Sequence, residues 1–251
     1  MPGLSPRVTA GVRRAATRVG LEKPLLRAYE WRYPAARRDR VDNERLRQLL
    51  AFTLAPDSNC IDIGCHQGDV LREMVRLAPR GRHIAYEPVP ASFEALAAEF
   101  PDVDLRNAAL SNVAGESSFT HVVDEPSFSG LRQRDYAGPR ELEQLTVRTE
   151  RLDDALPEGY VPRFMKVDVE GAEQLVFEGA LRTLRMHRPT VFFEHGQGSS
   201  DHYGTGPHDV YRLLVEEAGL RIFDADGRGP YSEADFEAVF TAPMWNFVAH
   251  A

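Results

Sequence analysis

The stretch Cys60-Ile61-Asp62-Ile63-Gly64-Cys65-His66-Gln67-Gly68-Asp69-Val70 decides the fold. An apolar run opening at Asn59 carries a single acid and then turns through two glycines. Beyond the turn, Val70, Leu71, Met74, Val75 and Leu77 recur at helical spacing. A strand, a tight turn and a helix in that order begin a parallel α/β layer. Gly64 and Gly68 are expected to let the backbone approach a ligand closely at the carboxyl edge of the sheet. A dinucleotide fingerprint would read G-x-G-x-x-G, whereas the spacing here is D-x-G-x-x-x-G, so that template fails.

The same alternation continues outward. Arg82–Glu87 reads as a second strand, and Ser92–Phe100 as a helix with Ser92 as N-cap. Val103–Leu110 reads as a third strand. Residues 113–150 interrupt the rhythm with polar sequence containing Gly and Ser, as hairpins or a mobile loop would. The pattern resumes with a strand over Pro162–Val169, a helix over Ala172–Leu184 and a strand over Thr190–Glu194. A helix over His208–Ala218, a strand near Leu220–Phe223 and a last strand over Trp245–Ala249 complete it. Strands joined by crossover helices predict a Rossmann-like α/β fold: a seven-stranded, mostly parallel sheet with helices on both faces and the final strand antiparallel.

Length and composition fit one soluble domain. The chain has 251 residues, 43% of them hydrophobic and 27% charged. No apolar run is long enough for a membrane span. Two cysteines, Cys60 and Cys65, rule out a disulfide scaffold and favour a reducing, cytoplasmic setting. The net charge of −8 is unevenly spread, with +7 over residues 1–50 and −15 over the rest. An acidic body argues against a nucleic-acid partner. The basic leader, residues 1–45, carries Arg13, Arg14, Arg18, Arg37, Arg38 and Arg40, with Pro24 and Pro34 breaking any long amphipathic helix. With Tyr29, Trp31 and Tyr33 too large to be left in water, it reads as a helical arm. That arm would pack on the core, over a ligand or on a second subunit to make a homodimer; a solvated extension is the alternative. The domain proper is expected over residues 46–251.

The acid in the glycine turn indicates the ligand. Asp62 would repel a pyrophosphate but can accept hydrogen bonds from an ammonium, which suits S-adenosyl-L-methionine, whose methionyl end carries an amine and whose sulfonium is cationic. Glu87 ends the second strand, where a carboxylate can accept both ribose hydroxyls. Asn107 and Ala108 end the third, where an adenine would lie. Asp62, Gly64, His66, Gly68, Glu87, Asn107 and Ala108 are therefore the expected donor-binding set, matching in order the donor site of class I methyltransferases. Another nucleotide-binding α/β domain is the competing reading.

A more specific signal follows at Phe164-Met165-Lys166-Val167-Asp168-Val169-Glu170-Gly171-Ala172-Glu173. This run, with Val176 and the pair Gly179-Ala180, resembles the signature of the FkbM-type methyltransferases. Ala109-Leu110-Ser111-Asn112 with Gly115 and Phe119 is similar to that family's segment after the third strand, and Phe192-Phe193-Glu194 fits its fifth. The resemblance covers about residues 46–250. It implies S-adenosylmethionine-dependent O-methylation, usually of a hydroxyl on a sugar or polyketide-type natural product.

Such a hydroxyl is a very weak acid, so a base or a metal is expected beside the sulfonium. Strand alternation puts Lys166 and Asp168 on one side, with Asp168 at a strand end; Glu194 and His195 end the next strand. In one reading Asp168 and Glu194 hold Mg²⁺. In the other, His195 is the general base and Asp168 orients the acceptor or the base. Glu170 stands between a catalytic role and a simple helix-start carboxylate, and Glu173 reads as the latter. The Gly-rich stretch from Gly196 to His208 is a candidate loop for a small-molecule or oligosaccharide acceptor, with His202 and Tyr203 as contacts. Ser127–Gly130, with Ser129, is the candidate opposite wall of the cleft. N-methylation of a small amine and a non-catalytic donor- or partner-binding domain are the alternatives.

Overall fold

The computed structural model describes residues 31–136, 138–242 and 244–251, with the side chain of Ala35 excepted. Most of the basic leader, including Tyr29 and the arginines before residue 31, lies outside the described residues, and with it the arm's proposed pairing. The chain divides after Glu44. Helix α1 runs Pro34–Thr53. Trp31 and Arg32 are helical and Tyr33 is not, so Pro34 marks the expected break and opens the new helix, where a proline in the first turn forfeits only an N–H that has no helical partner. Trp31, expected to be covered, is 85% exposed.

Arg45–Ala251 is built on a seven-stranded sheet with strands β1 (Asn59–Ile63), β2 (His83–Tyr86), β3 (Asp104–Arg106), β7 (Pro162–Val167), β8 (Thr190–Glu194), β9 (Arg221–Asp224) and β10 (Asn246–His250), in the order β3-β2-β1-β7-β8-β10-β9. In that order β3, β2, β1, β7 and β8 pair in parallel, and β10 runs antiparallel to both β8 and β9. This is the predicted α/β architecture. β1, β2 and β7 are almost wholly buried, as strands covered on both faces must be.

Register fixes which side chains meet. Asp62 lies opposite Ala85 on β2 and Lys166 on β7, and Lys166 lies opposite Phe192 on β8. One core gathers Ile61, Ile63, Met165, Val167, Phe177, Phe193 and Phe247. A second gathers Leu46, Leu50, Cys60, Met74, Phe164 and Phe192. The two sets alternate along β1, β7 and β8, so they line opposite faces of the sheet. Helix α2 (Asp69–Leu77) buries Leu71 and Met74.

Several boundaries differ from the sequence reading. Helix α3 (Pro90–Glu99) begins at Pro90 with Val89, not Ser92, at the N-cap. The expected third strand is two: after β3, Asn107 and Ala108 turn the chain into β4 (Ala109–Leu110), which joins a separate three-stranded sheet. Its other strands, β5 (Gly115–Val122) and β6 (Leu142–Glu150), form a long antiparallel pair, the hairpin alternative of the reading for residues 113–150. The expected helix over Ala172–Leu184 divides into α5 (Glu173–Gly179) and α6 (Leu181–His187). Asp153, in the short helix α4 (Leu152–Ala155), explains the division. Its carboxylate accepts from the Arg182 and Thr183 N–H groups at 2.8 and 2.9 Å, capping a new helix start. The expected helix over His208–Ala218 is a short α7 (Pro207–Tyr211) continued as a π-helical turn over Arg212–Glu217.

Candidate active site

β1, β2, β7 and β8 are parallel neighbours, so their carboxyl ends open onto one edge of the sheet. At the end of β1 the chain turns through Gly64 and Gly68, both left-handed at φ of 75° and 76°. The missing Cβ of Gly64 would drive into the Asp168 carbonyl oxygen, and that of Gly68 would lie 2.7 Å from Leu96 Cδ2. Both glycines are therefore demanded by protein atoms in contact with the turn, not by a ligand alone.

Asp62 is fully buried, and neither carboxylate oxygen has a partner at full hydrogen-bond distance. Burial pushes its pKa up to about 6; Lys166, with Nζ 3.8 Å away, and the Leu71 N–H pull it back only in part. Glu87 lies just past β2 and is buried. Its Oε2 accepts from the His66 N–H at 2.8 Å and its Oε1 from the Val89 N–H at 3.0 Å. Desolvation still outweighs those bonds and raises its pKa to about 7. His66 sits in the left-handed region at φ 46°, and burial, then Lys166, lowers its imidazole pKa. Asn107 donates to the carbonyls of Glu87 and Pro88 at 2.9 and 3.1 Å, so its amide holds the turn after β2. Ala108 is fully buried. Asp62, Gly64, His66 and Glu87 thus form one connected set around the glycine turn, with Asn107 bracing it.

The adjoining strand ends carry three more carboxylates. Ligand atoms of Asp168, Glu170 and Glu194 lie within 4.8 Å of one another. Burial and then Asp168 raise the pKa of both Glu170 and Glu194 well above the carboxylate range. Two cations face this trio. Lys166 Nζ is 3.1 Å from Asp168 Oδ2 and donates to the Gly64 carbonyl at 2.8 Å. Arg134, from the β5–β6 connection, pairs closely with Glu170 and donates to the Gly198 carbonyl at 3.2 Å. Glu173 takes the helix-start role expected of it, accepting from the Val169 and Gly171 N–H groups.

His195 does not join this trio. Adjacent residues of a strand point to opposite faces, so the side that presents Glu194 hides His195. The imidazole is 1% exposed, stacks on Phe236 at 5.8 Å, lies 5.0 Å from Phe240 and bonds Ser200 Oγ through Nδ1 at 3.0 Å. Burial lowers its pKa to about 4. The expectation that His195 converges with Asp168 and Glu194 as a base is corrected: it is a neutral core histidine. Ser129 is also turned away from the cleft. Its hydroxyl accepts from the Val122 N–H at 2.9 Å and contacts His121 Nδ1 at 3.2 Å.

The 196–206 loop meets the β5–β6 connection just beyond the Ser127–Gly130 segment. The Arg132 N–H donates to the Tyr203 hydroxyl at 3.0 Å, the Arg132 guanidinium lies 5.3 Å over that ring, and His202 Nε2 accepts from the Asp135 N–H at 3.4 Å. His202 and Tyr203 thus spend these polar groups joining the 196–206 loop to the β5–β6 connection. Arg132, Arg134 and the role of Lys166 were missed in the sequence. An arginine in a polar insertion carries no local mark of what it will touch.

This strand order, with a glycine turn after β1 and an acid closing β2, is that of the class I methyltransferases, a Rossmann-like α/β fold. The profile of the methyltransferase FkbM domain matches residues 62–222, and the chain belongs to that family. Among solved structures, it is similar to methyltransferase FkbM from Methylobacillus flagellatus KT, with a TM-score of 0.50 and 12% identity over 79% of this chain. It spans 44% of the length of that protein. It also aligns with a TehB-like SAM-dependent methyltransferase from Corynebacterium glutamicum (TM-score 0.44, 10% identity, 82% of this chain and 86% of that one). A third likeness is to StiE O-MT residues 961–1257 (TM-score 0.46, 14% identity, 100% of this chain and 82% of that one). No curated protein sequence matches significantly. Among the described residues, no helix is long and apolar enough to cross a membrane.

Proposed function

We propose that this protein transfers the methyl group of S-adenosyl-L-methionine to a hydroxyl of a sugar or other natural-product acceptor. The observation that carries the reading is the pairing of two neighbouring acidic sets at one sheet edge: Asp62 and Glu87 around the glycine turn, and Asp168, Glu170 and Glu194 beside it. The first set suits the donor. Asp62, whose ion pair with Lys166 is long at 3.8 Å, keeps acceptor capacity for an ammonium, and each Glu87 oxygen keeps a second lone-pair site for a ribose hydroxyl. Asn107 and Ala108 would border the base. Five carboxylates against Lys166 and Arg134 also favour a cationic sulfonium over the neutral thioether left after transfer.

The second set suits the acceptor. The hydroxyl oxygen attacks the methyl carbon, the carbon–sulfur bond breaks toward sulfur, and the hydroxyl proton passes to a carboxylate. Without a metal, Glu194, its affinity for protons raised by burial and its neighbours, would take it. Three carboxylates also fit a hard divalent cation. Because Arg134 already engages Glu170, Asp168 and Glu194 would hold Mg²⁺ there. The ion would supply Lewis acidity toward the acceptor oxygen. His202 and Tyr203 would border the acceptor through the loop they brace.

Calorimetry with S-adenosylhomocysteine, NAD and Mg²⁺, followed by a methyl-transfer screen over sugar hydroxyls and small amines with and without EDTA, tests the reading. Micromolar binding of the homocysteine nucleoside with transfer to hydroxyls is expected. Tighter binding of NAD, or transfer confined to amines, would overturn it.

A further inference from the structure

We propose that Lys166 is a positioning residue whose ammonium clamps the donor turn to the acidic strand end, setting the donor pocket through charge rather than through its hydrocarbon stem. The inference rests on the donor site proposed above. Lys166 stands in the interior of β7, buried, between β1 and β8. The neighbouring residue on its own face, Phe164, packs in an apolar cluster with Cys60, Met74 and Phe192. An apolar side chain would fill that slot, and a buried ammonium is strongly unfavourable unless partners offset its lost hydration.

Those partners belong to three segments. The Gly64 carbonyl accepts from Nζ at 2.8 Å, Asp168 Oδ2 is 3.1 Å away, and Asp62 Oδ1 is 3.8 Å away. Asp62 and Asp168 repel one another across the same gap. Without a cation between them, both carboxylates would stand at the donor turn uncompensated, and the Gly64 carbonyl would lose a charged donor. A backbone carbonyl and two carboxylates converge on this one nitrogen, an arrangement of acceptors that an ammonium, with three donors and no acceptor, matches. The clamp reaches the rest of the turn through the backbone. Gly64 and Cys65 both donate to the Tyr86 carbonyl, and His66 donates to Glu87.

Two measurements test this, neither needing an acceptor. Amide hydrogen exchange of Gly64–Gly68 in the unliganded chain reads the clamp itself. Lys166→Met, which keeps stem length and loses charge, is expected to speed exchange there at least tenfold while leaving Val191–Phe193 unchanged. Calorimetry with S-adenosylhomocysteine reads the consequence. Affinity should fall at least tenfold in both Lys166→Met and Lys166→Ala, with n-propylammonium, not n-propanol, restoring it in Lys166→Ala. Wild-type exchange and affinity in Lys166→Met, or rescue by the alcohol, would show that only the stem matters and overturn the proposal. If Lys166→Ala does not fold, Lys166→Met decides alone. If the wild type does not bind the nucleoside, the donor reading fails, whereas the exchange result still judges the clamp.

Discussion

Replacing Glu87 with alanine separates two jobs that the structure assigns to one carboxylate. Its oxygens already accept from the His66 and Val89 N–H groups at 2.8 and 3.0 Å, and two lone-pair sites remain for a vicinal diol. Hydrogen bonds to a charged acceptor contribute about 1.5–3 kcal/mol each. Losing both diol bonds should therefore cost at least about 3 kcal/mol of donor affinity, roughly a hundredfold. Freeing two backbone N–H groups adds a loss of folding stability, on the order of 2–4 kcal/mol, because the Val89 contact is buried. Calorimetry with S-adenosylhomocysteine and its 2′-deoxy analogue distinguishes the two effects. The wild type should bind the deoxy compound about tenfold more weakly, and Glu87→Ala should bind both alike, since the missing hydroxyl no longer has its acceptor. Urea denaturation reports the stability loss separately. If Glu87→Ala keeps nucleoside affinity within threefold, or if the wild type ignores the 2′-hydroxyl, the donor does not lie where it is proposed to lie.

Other outcomes follow from the same geometry. Gly64→Ala should lower stability by about 2–4 kcal/mol in urea, combining a left-handed φ with overlap on the Asp168 carbonyl; an unchanged midpoint would contradict the packing described. Asp62 and Glu87 have folded-state pKa values raised to about 6 and about 7, so between pH 4 and 7 the folded chain holds more protons than the unfolded one. Their contribution to stability is thus present at low pH and lost as pH rises through that window, by up to roughly 3 kcal/mol each. Donor binding, which wants both ionised, should release protons near pH 6 and tighten toward pH 7.5; calorimetric heats independent of buffer ionisation enthalpy would refute this. His195→Phe should leave nucleoside affinity within twofold, because the imidazole faces Phe236 and Phe240. Mn²⁺ titrated by electron paramagnetic resonance should bind at least tenfold more weakly to Asp168→Asn and more tightly to Arg134→Met, which releases Glu170.

What was legible in the sequence is what local pattern alone can encode. The apolar run around Asp62, the glycine turn and the helical spacing after Val70 announce strand, turn and helix, and their repetition gives the parallel sheet. The breaks were harder to see because their causes are distant in the chain. Asp153 caps the second half of the 172–187 helical stretch across about thirty positions, and the choice between hairpin and loop over residues 113–150 is a tertiary one that polar sequence leaves open. Gly179 was the one local hint that this helix would divide.

The errors at the site have one physical root, which also explains why the acidic trio assembles. Periodicity along a strand is two, so Phe192 and Glu194 share one face of β8 while Phe193 and His195 share the other. Grouping Glu194 with His195 because they are adjacent overlooked that alternation, whereas applying it to Lys166 and Asp168 gave the right side. Extended across the register, the rule places Asp62, Lys166 and Phe192 in one lateral row. Glu194, two positions beyond Phe192, therefore emerges on the face that Lys166 and Asp168 share. The chemistry of the edge is thus written in the parity of three strands, β1, β7 and β8. What parity cannot supply is the cation that arrives from outside the sheet. Arg134 enters from the β5–β6 connection, and its contacts with Glu170 and the Gly198 carbonyl set how much of the trio remains for a ligand.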